Sequence, residues 1–253
     1  MAKPVAILAS MEQESHLIER GLTAAVEHSR SGRRYVTGEL CGVPIVTAIS
    51  GYGKVAAAAT VASVIEIFTP SLVVFGGVAG GVGDGVEIGD VVVADRLTQH
   101  DFDASPLFER FVVPSLGVAQ IAADPELTAR LETAAQTFVH GGLQGGNQIA
   151  DSALFDPAGT RVHRGLVASG DRFIDNVAEA RVLLGDLPAC LAVEMEGAAV
   201  AQVCAERGIP FGVFRSISDR ADQDADVDFM AFIRSVAAPI TAGVVEELLR
   251  NLS

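Results

Sequence analysis

Apolar and polar positions along the chain fall into two lengths of pattern. Short, continuously apolar runs at Val5–Ala9, Leu72–Phe75, Gly165–Ala168, Leu191–Val193 and Phe211–Ser216 read as strands buried on both faces. Between them lie longer stretches with helical spacing. These predict helices from about Glu12 to Ala25, over the alanine-rich Lys54–Phe68, from Pro125 to about Phe138, from about Glu196 to Arg207 and from about Phe229 to Leu249. The third helix has its start written out, with Asp124 as N-cap, Pro125 at the first helical position and Glu126 after it. Arg34–Leu40 and Val43–Ile49 read as strands joined by a Cys41-Gly42 hairpin turn, and Asp90–Leu97 reads as another strand. Strands covered on both faces and spaced by helices predict an α/β fold of three layers, helices on each side of a central twisted sheet. No linker or repeat interrupts the pattern, so residues 1–253 are expected to form a single domain. Asp101–Gly117 and Gly141–Gly159 are the longest irregular segments, and loops of that length are often functional.

Composition narrows the partners. The 32 acidic residues against 18 basic ones give a formal charge of −14, a field that repels phosphate backbones and anionic membranes. Nucleic acid and membrane are therefore not expected as partners. The three cysteines, Cys41, Cys190 and Cys204, sit in apolar stretches without metal-ligand spacing and form no disulfide framework. The first residues run straight into a strand pattern with no signal-peptide architecture, and no apolar run reaches the ~20 residues of a membrane span. A cytoplasmic protein is the expectation.

Candidate chemistry collects where apolar runs end. Val5–Ala9 is followed by Ser10-Met11-Glu12-Gln13-Glu14; acids there either stabilise a helix N-terminus or face a ligand, since open α/β sheets bind ligands beyond the carboxyl ends of strands. Gly76-Gly77-Val78-Ala79-Gly80-Gly81 reads as a loop that lets backbone approach a ligand, but it lacks the lysine and hydroxyl residue of a phosphate-binding loop. In Ser169-Gly170-Asp171-Arg172-Phe173-Ile174 the aromatic suits base stacking and core packing equally. Val193-Glu194-Met195-Glu196-Gly197 offers a carboxylate that can accept both hydrogen bonds of a ribose diol, or a helix-terminal acid. Arg215-Ser216-Ile217-Ser218-Asp219 ends a buried strand in an aspartate. Near apolar groups that aspartate can keep a proton to donate; alternatively it caps the segment after it. Together these place Glu14, Glu196 and Asp219 at the ends of three strands of one sheet, a convergence that capping alone does not require.

In order, these segments resemble the purine nucleoside phosphorylase and uridine phosphorylase superfamily, and within it the hydrolytic methylthioadenosine/S-adenosylhomocysteine nucleosidases. The likeness covers about Val5 to Phe232. It rests on Val193-Glu194-Met195-Glu196 and on Arg215 to Gln223, with support from Ser50-Gly51-Tyr52-Gly53-Lys54-Val55-Ala56-Ala57, Ala79-Gly80-Gly81 and Ser169 to Ile174. The resemblance implies a nucleoside phosphorylase-like fold with a mixed sheet, a homodimer, an adenine nucleoside as small-molecule substrate, and neither cofactor nor metal. It further implies that Asp219, with Ser218 beside it, protonates N7 of adenine and that Glu14 deprotonates the attacking water. By the same resemblance Glu196 binds the ribose hydroxyls, Met195 packs on the sugar, Phe173 stacks on adenine and the Ile174 backbone reads the edge of the base. Arg215 is implied near the water and sugar, Met11 and Phe229 along the sugar and thioether side, and Ala104 and Leu107 in a segment lent to the neighbouring subunit's pocket. Two departures stand out. Val78 occupies a position that is commonly Ser or Thr near the attacking water, and Leu107 one that is commonly aromatic.

Water is the expected acceptor. Phosphorylases of the superfamily carry arginines where this chain has Met11-Glu12-Gln13-Glu14 and Phe75. Carboxylates there would repel phosphate by roughly 1–4 kcal/mol per charge pair at 4 Å, over effective dielectrics of 80 to 20. The alternatives are a phosphate-dependent purine nucleoside phosphorylase, a hydrolase of another 5′-modified nucleoside such as futalosine, and a nucleoside-binding protein without catalysis.

Overall fold

The structure, a computed structural model, describes residues 2–143, 157–220 and 232–252. Within them eleven strands form one mixed sheet: β1 (Val5–Ala9), β2 (Thr23–Arg30), β3 (Arg33–Leu40), β4 (Val43–Ile49), β5 (Leu72–Phe75), β6 (Val78–Gly81), β7 (Val91–Gln99), β8 (Ile121–Ala122), β9 (Val162–Ser169), β10 (Cys190–Glu194) and β11 (Phe211–Asp219). The α-helices are α1 (Glu12–Arg20), α2 (Lys54–Phe68), α3 (Pro125–Phe138), α4 (Val177–Asp186), α5 (Gly197–Arg207) and α6 (Ala238–Arg250), the last entered through a π-helical turn at Ile233–Ala237. No helix among the described residues is long and apolar enough to cross a membrane.

The continuously apolar strands are explained by what covers them. Along β1, Ala6 and Leu8 face a core built with α2 and α5. Val5 and Ile7 face the opposite core, built with α1, α3 and α6. Side chains alternate across a strand, so a strand between two helical layers must be apolar at every position. The expected α/β/α layering is thus present, with one addition. Strand order is β2-β3-β4-β1-β5-β11-β6-β10-β9-β7-β8, and β11 also pairs with β7. The pairings β11–β6, β6–β10, β10–β9, β9–β7 and β7–β11 therefore close a ring of strands on one side of the sheet. Closure leaves the two-residue β8, paired to β7 alone, as the edge of that half of the sheet.

Several boundaries differ from the sequence expectation. The first helix stops at Arg20 rather than Ala25, and Thr23–Arg30 is a strand. That strand is almost wholly exposed, so no apolar face announces it. It is held by antiparallel pairing to β3 through a Ser31-Gly32 turn with φ of 51° and 73°. The expected Cys41-Gly42 turn has the same left-handed pair of residues, φ 52° and 78°, the geometry of two-residue hairpins. The glycine segment expected as a loop is a strand from Val78 to Gly81, paired on both sides. Helix α4 is not among the expected elements, although Asn176 caps it by accepting the Glu179 N–H at 3.0 Å. The start of the last helix at Phe229 falls outside the described residues, as does most of Gly141–Gly159.

Candidate active site

A cavity of about 240 Å³ opens where β1, β6, β10 and β11 end. Met11, Val78, Phe173, Ile174, Met195, Glu196, Ser218 and Asp219 all line it, together with Ser10, Tyr52, Ala79, Gly80, Arg172, Val193 and Glu194. Strand β6 brings the two acidic ends together. Val193 of β10 and Asp219 of β11 both pair across Gly80, from opposite sides.

Asp219 reaches the cavity through an irregularity in β11. Its register against β6 skips a residue between Ile217 and Asp219. In a regular strand Ser218 and Asp219 would point to opposite faces; a bulge re-aims side chains, and here both line the same cavity. The Ser218 hydroxyl donates to Asp219 Oδ2 at 2.7 Å, and both residues are buried.

Glu14 lies beneath this wall and is fully buried. Its Oε2 accepts from the Ser10 N–H (3.0 Å), the Ser10 hydroxyl (2.9 Å) and the Met11 N–H (2.8 Å). Its Oε1 accepts from the Val78 N–H at 3.0 Å, so the valine that offers no side-chain hydroxyl still contributes its backbone. Burial raises the Glu14 pKa, against the opposing pull of Arg215 and these hydrogen bonds. The chain can pass this close because residue 77 is glycine: a Cβ there would stand 2.8 Å from Glu14 Oε1.

Glu196 follows β10 and accepts the Gly53 N–H on Oε1 at 2.7 Å. Burial, and then the neighbouring Glu194 carboxylate, push its pKa up to about 7. Glu194 is the hub of the floor. It pairs with Arg215 Nη2 at 2.6 Å and accepts from the Ser169 hydroxyl and from the Glu196 and Gly197 N–H groups. Arg215 is 1% exposed, donates to the Phe75 and Phe214 carbonyls and lies 4.2 Å over the Phe75 ring. The sequence resemblance puts Arg215 beside a ligand; the structure holds its charge under the cavity, spent on Glu194. The sequence alone gives Glu194 no role.

Ala104 and Leu107 do not line this chain's cavity; Leu107 is 84% exposed. Phe229 lies outside the described residues. Among the described residues there is no group of three or more His, Cys, Asp or Glu able to hold a metal ion.

The model of the phosphorylase superfamily matches residues 4–250. A 5′-methylthioadenosine/S-adenosylhomocysteine nucleosidase of Shewanella sp. (strain W3-18-1) is 34% identical over 230 residues, 90% of this chain and 91% of that protein. The crystal structure of the nucleosidase of the same name from Neisseria meningitidis, in complex with methylthio-immucillin-A, superposes with a TM-score of 0.86 at 34% identity, over 98% of this chain and 99% of the other. A futalosine hydrolase mutant of Helicobacter pylori strain 26695 superposes with a TM-score of 0.83 at 29% identity, over 99% and 100% of the two chains.

Proposed function

The chain belongs to the phosphorylase superfamily, and on that premise we propose that it is a hydrolase of N-ribosyl bonds, releasing adenine from 5′-methylthioadenosine, S-adenosylhomocysteine or both. The observation that carries this reading is one cavity bordered by Glu196, Ser218 and Asp219, with Glu14 bonded to the backbone of its wall.

In this reading adenine lies against Phe173, with its edge on the Ile174 backbone. Asp219, steadied by Ser218, gives a proton to N7 so that the base leaves neutral. Such a general acid contributes on the order of 10²–10⁴ in rate. The ribose left behind carries developing positive charge, and Glu196 and Glu14 stabilise it electrostatically. Glu196, anchored by Gly53 through one oxygen, accepts from the ribose hydroxyls with its remaining capacity, while Met195 and Met11 pack on the sugar. Glu14 Oε1 has a single donor against three on Oε2, so it is the oxygen that takes the proton of the attacking water. Burial moves its pKa toward the range of a working base.

Electrostatics favour water over phosphate. Arg172 is the cation on the cavity wall among the described residues, and it is paired with Glu179. Arg215 is neutralised by Glu194. A dianion would meet carboxylates without a free positive partner. The thioether end is the part assigned to a second copy of the chain, which would lend Ala104 and Leu107. We extend the reading to a homodimer working in the cytoplasm, in methionine salvage, as the family resemblance implies. The test is incubation with methylthioadenosine with and without phosphate, followed by chromatography, with futalosine in parallel. Free adenine in both conditions is expected. A 5-methylthioribose 1-phosphate product that needs phosphate would replace hydrolysis by phosphorolysis, and no adenine in either would end the reading.

A further inference from the structure

Lys54 opens α2, where the helix dipole disfavours a cation, and its side chain is only 14% exposed. A residue that breaks a local rule calls for a compensating gain elsewhere. The gain here is a three-segment junction beside the cavity. The Lys54 ammonium contacts Asp101 Oδ1 at 2.5 Å and Asp171 Oδ2 at 3.8 Å. The Lys54 N–H donates to Asp171 Oδ1, and the Asp171 N–H donates to Asp101 Oδ2, each at 2.8 Å. Asp171 belongs to the turn that carries Phe173 and Ile174 on the cavity wall. One residue earlier, the Gly53 N–H holds Glu196.

We infer that Lys54 is a positioning residue for the base-binding turn: by joining Asp101 to Asp171 it registers Phe173 and Ile174 against the same helix end that fixes Glu196. This rests on the nucleosidase reading for what the turn binds. Without the ammonium, Asp101 and Asp171 face each other as like charges, joined by the Asp171 N–H, with the Lys54 backbone N–H still on Asp171. Burial alone would raise the Asp101 pKa, yet the lysine and the Asp171 N–H hold it below the usual carboxylate range, so Asp101 is ionised at neutral pH. Glu196 and its Gly53 anchor do not depend on the lysine, so disturbing the junction moves the base site relative to the sugar site rather than dismantling both.

The test compares wild type, Lys54→Met, Asp101→Asn and the double variant by amide exchange, adenine calorimetry and hydrolysis kinetics. Lys54→Met is expected to speed exchange across residues 170–174 by about tenfold, with the core strands unchanged, because a local opening costs about 1.4 kcal/mol less. Adenine affinity falls and KM for methylthioadenosine rises by about tenfold, while kcat drops by less than about threefold, the signature of lost ground-state positioning. The double variant shows little loss beyond either single one, because both cut the same junction. Unchanged exchange at 170–174, an increase spread over the whole chain, or additive losses would each overturn the role of Lys54. If wild type itself released no adenine, the nucleosidase reading would fall, while the exchange data would still decide whether Lys54 fixes the turn.

Discussion

In the proposed reaction Asp219 and Glu196 make opposite demands on the proton. Asp219 must bring one to the base, with the Ser218 hydroxyl on Oδ2 fixing its orientation. Asp219→Asn keeps the shape and the partner but removes the acid, so adenine release should fall by about 10²–10⁴ with the unfolding midpoint near that of wild type. Near-normal turnover in that variant would remove Asp219 from the chemistry. Glu196 must be ionised to accept both ribose hydroxyls, yet its pKa is pushed from 4.5 to about 7 by burial and by Glu194. Nucleoside affinity should therefore weaken as pH falls below about 7. Stability should run the other way. Between 4.5 and about 7 the folded chain holds a proton that the unfolded chain has released, so stability declines as pH rises through that window. Denaturant unfolding at pH 5 and pH 8 measures this, and in Glu196→Gln the contribution should vanish. The three acids were legible in the sequence because each follows an apolar run. Glu194 was not, because what makes it the hub is its contact with Ser169 and Arg215, 25 and 21 residues away.

At the scale of elements, the passage from β5 to β6 sets the depth of the floor. The two glycines between Phe75 and Val78 let the chain run against Glu14 on one side and Phe214 on the other. Gly77→Ala puts a methyl 2.8 Å from Glu14 Oε1, and either the carboxylate or the strand must yield. Activity should fall by about 10²-fold, the cost of a displacement near 1 Å, with a much smaller effect on the unfolding midpoint. Wild-type kinetics in this variant would show that Glu14 need not sit where it does. The strand Val78-Ala79-Gly80-Gly81 has little intrinsic preference for extended structure; pairing with β10 and β11 imposes it, which is why its composition suggested a loop. β2 escaped for the converse reason, since its residues lie outside and carry no apolar rhythm. By contrast α2, β1 and β5 were legible to the residue, because their patterns record the layers they separate.

Across the whole molecule, several large apolar side chains remain exposed. Tyr52, on the cavity wall, is 68% exposed, Val55 80%, Leu107 84% and Phe108 45%, and exposed apolar surface of this kind suits association. Light scattering should report twice the mass of one chain. Leu107→Glu should shift the population toward single chains and raise KM for thioether nucleosides more than for adenosine. A variant that stays paired with unchanged KM would move the interface elsewhere. The layered plan of the fold was readable from sequence, but the closed ring of strands was not, since it depends on β11 pairing with both β6 and β7, far apart in sequence from it.

That arrangement bears on how the protein is made. β11 joins β5 to the ring, and it contributes Asp219 at its own last position. As the chain leaves the ribosome, β1 to β5 can pair among themselves early, but the ring and the floor cannot assemble until residues past 219 have emerged. Contacts spanning so much of the sequence slow the search for the native state. A nascent chain stalled short of β11 would expose the flanks of β5 and β6 to unwanted pairing and would have no catalytic pocket to show for it.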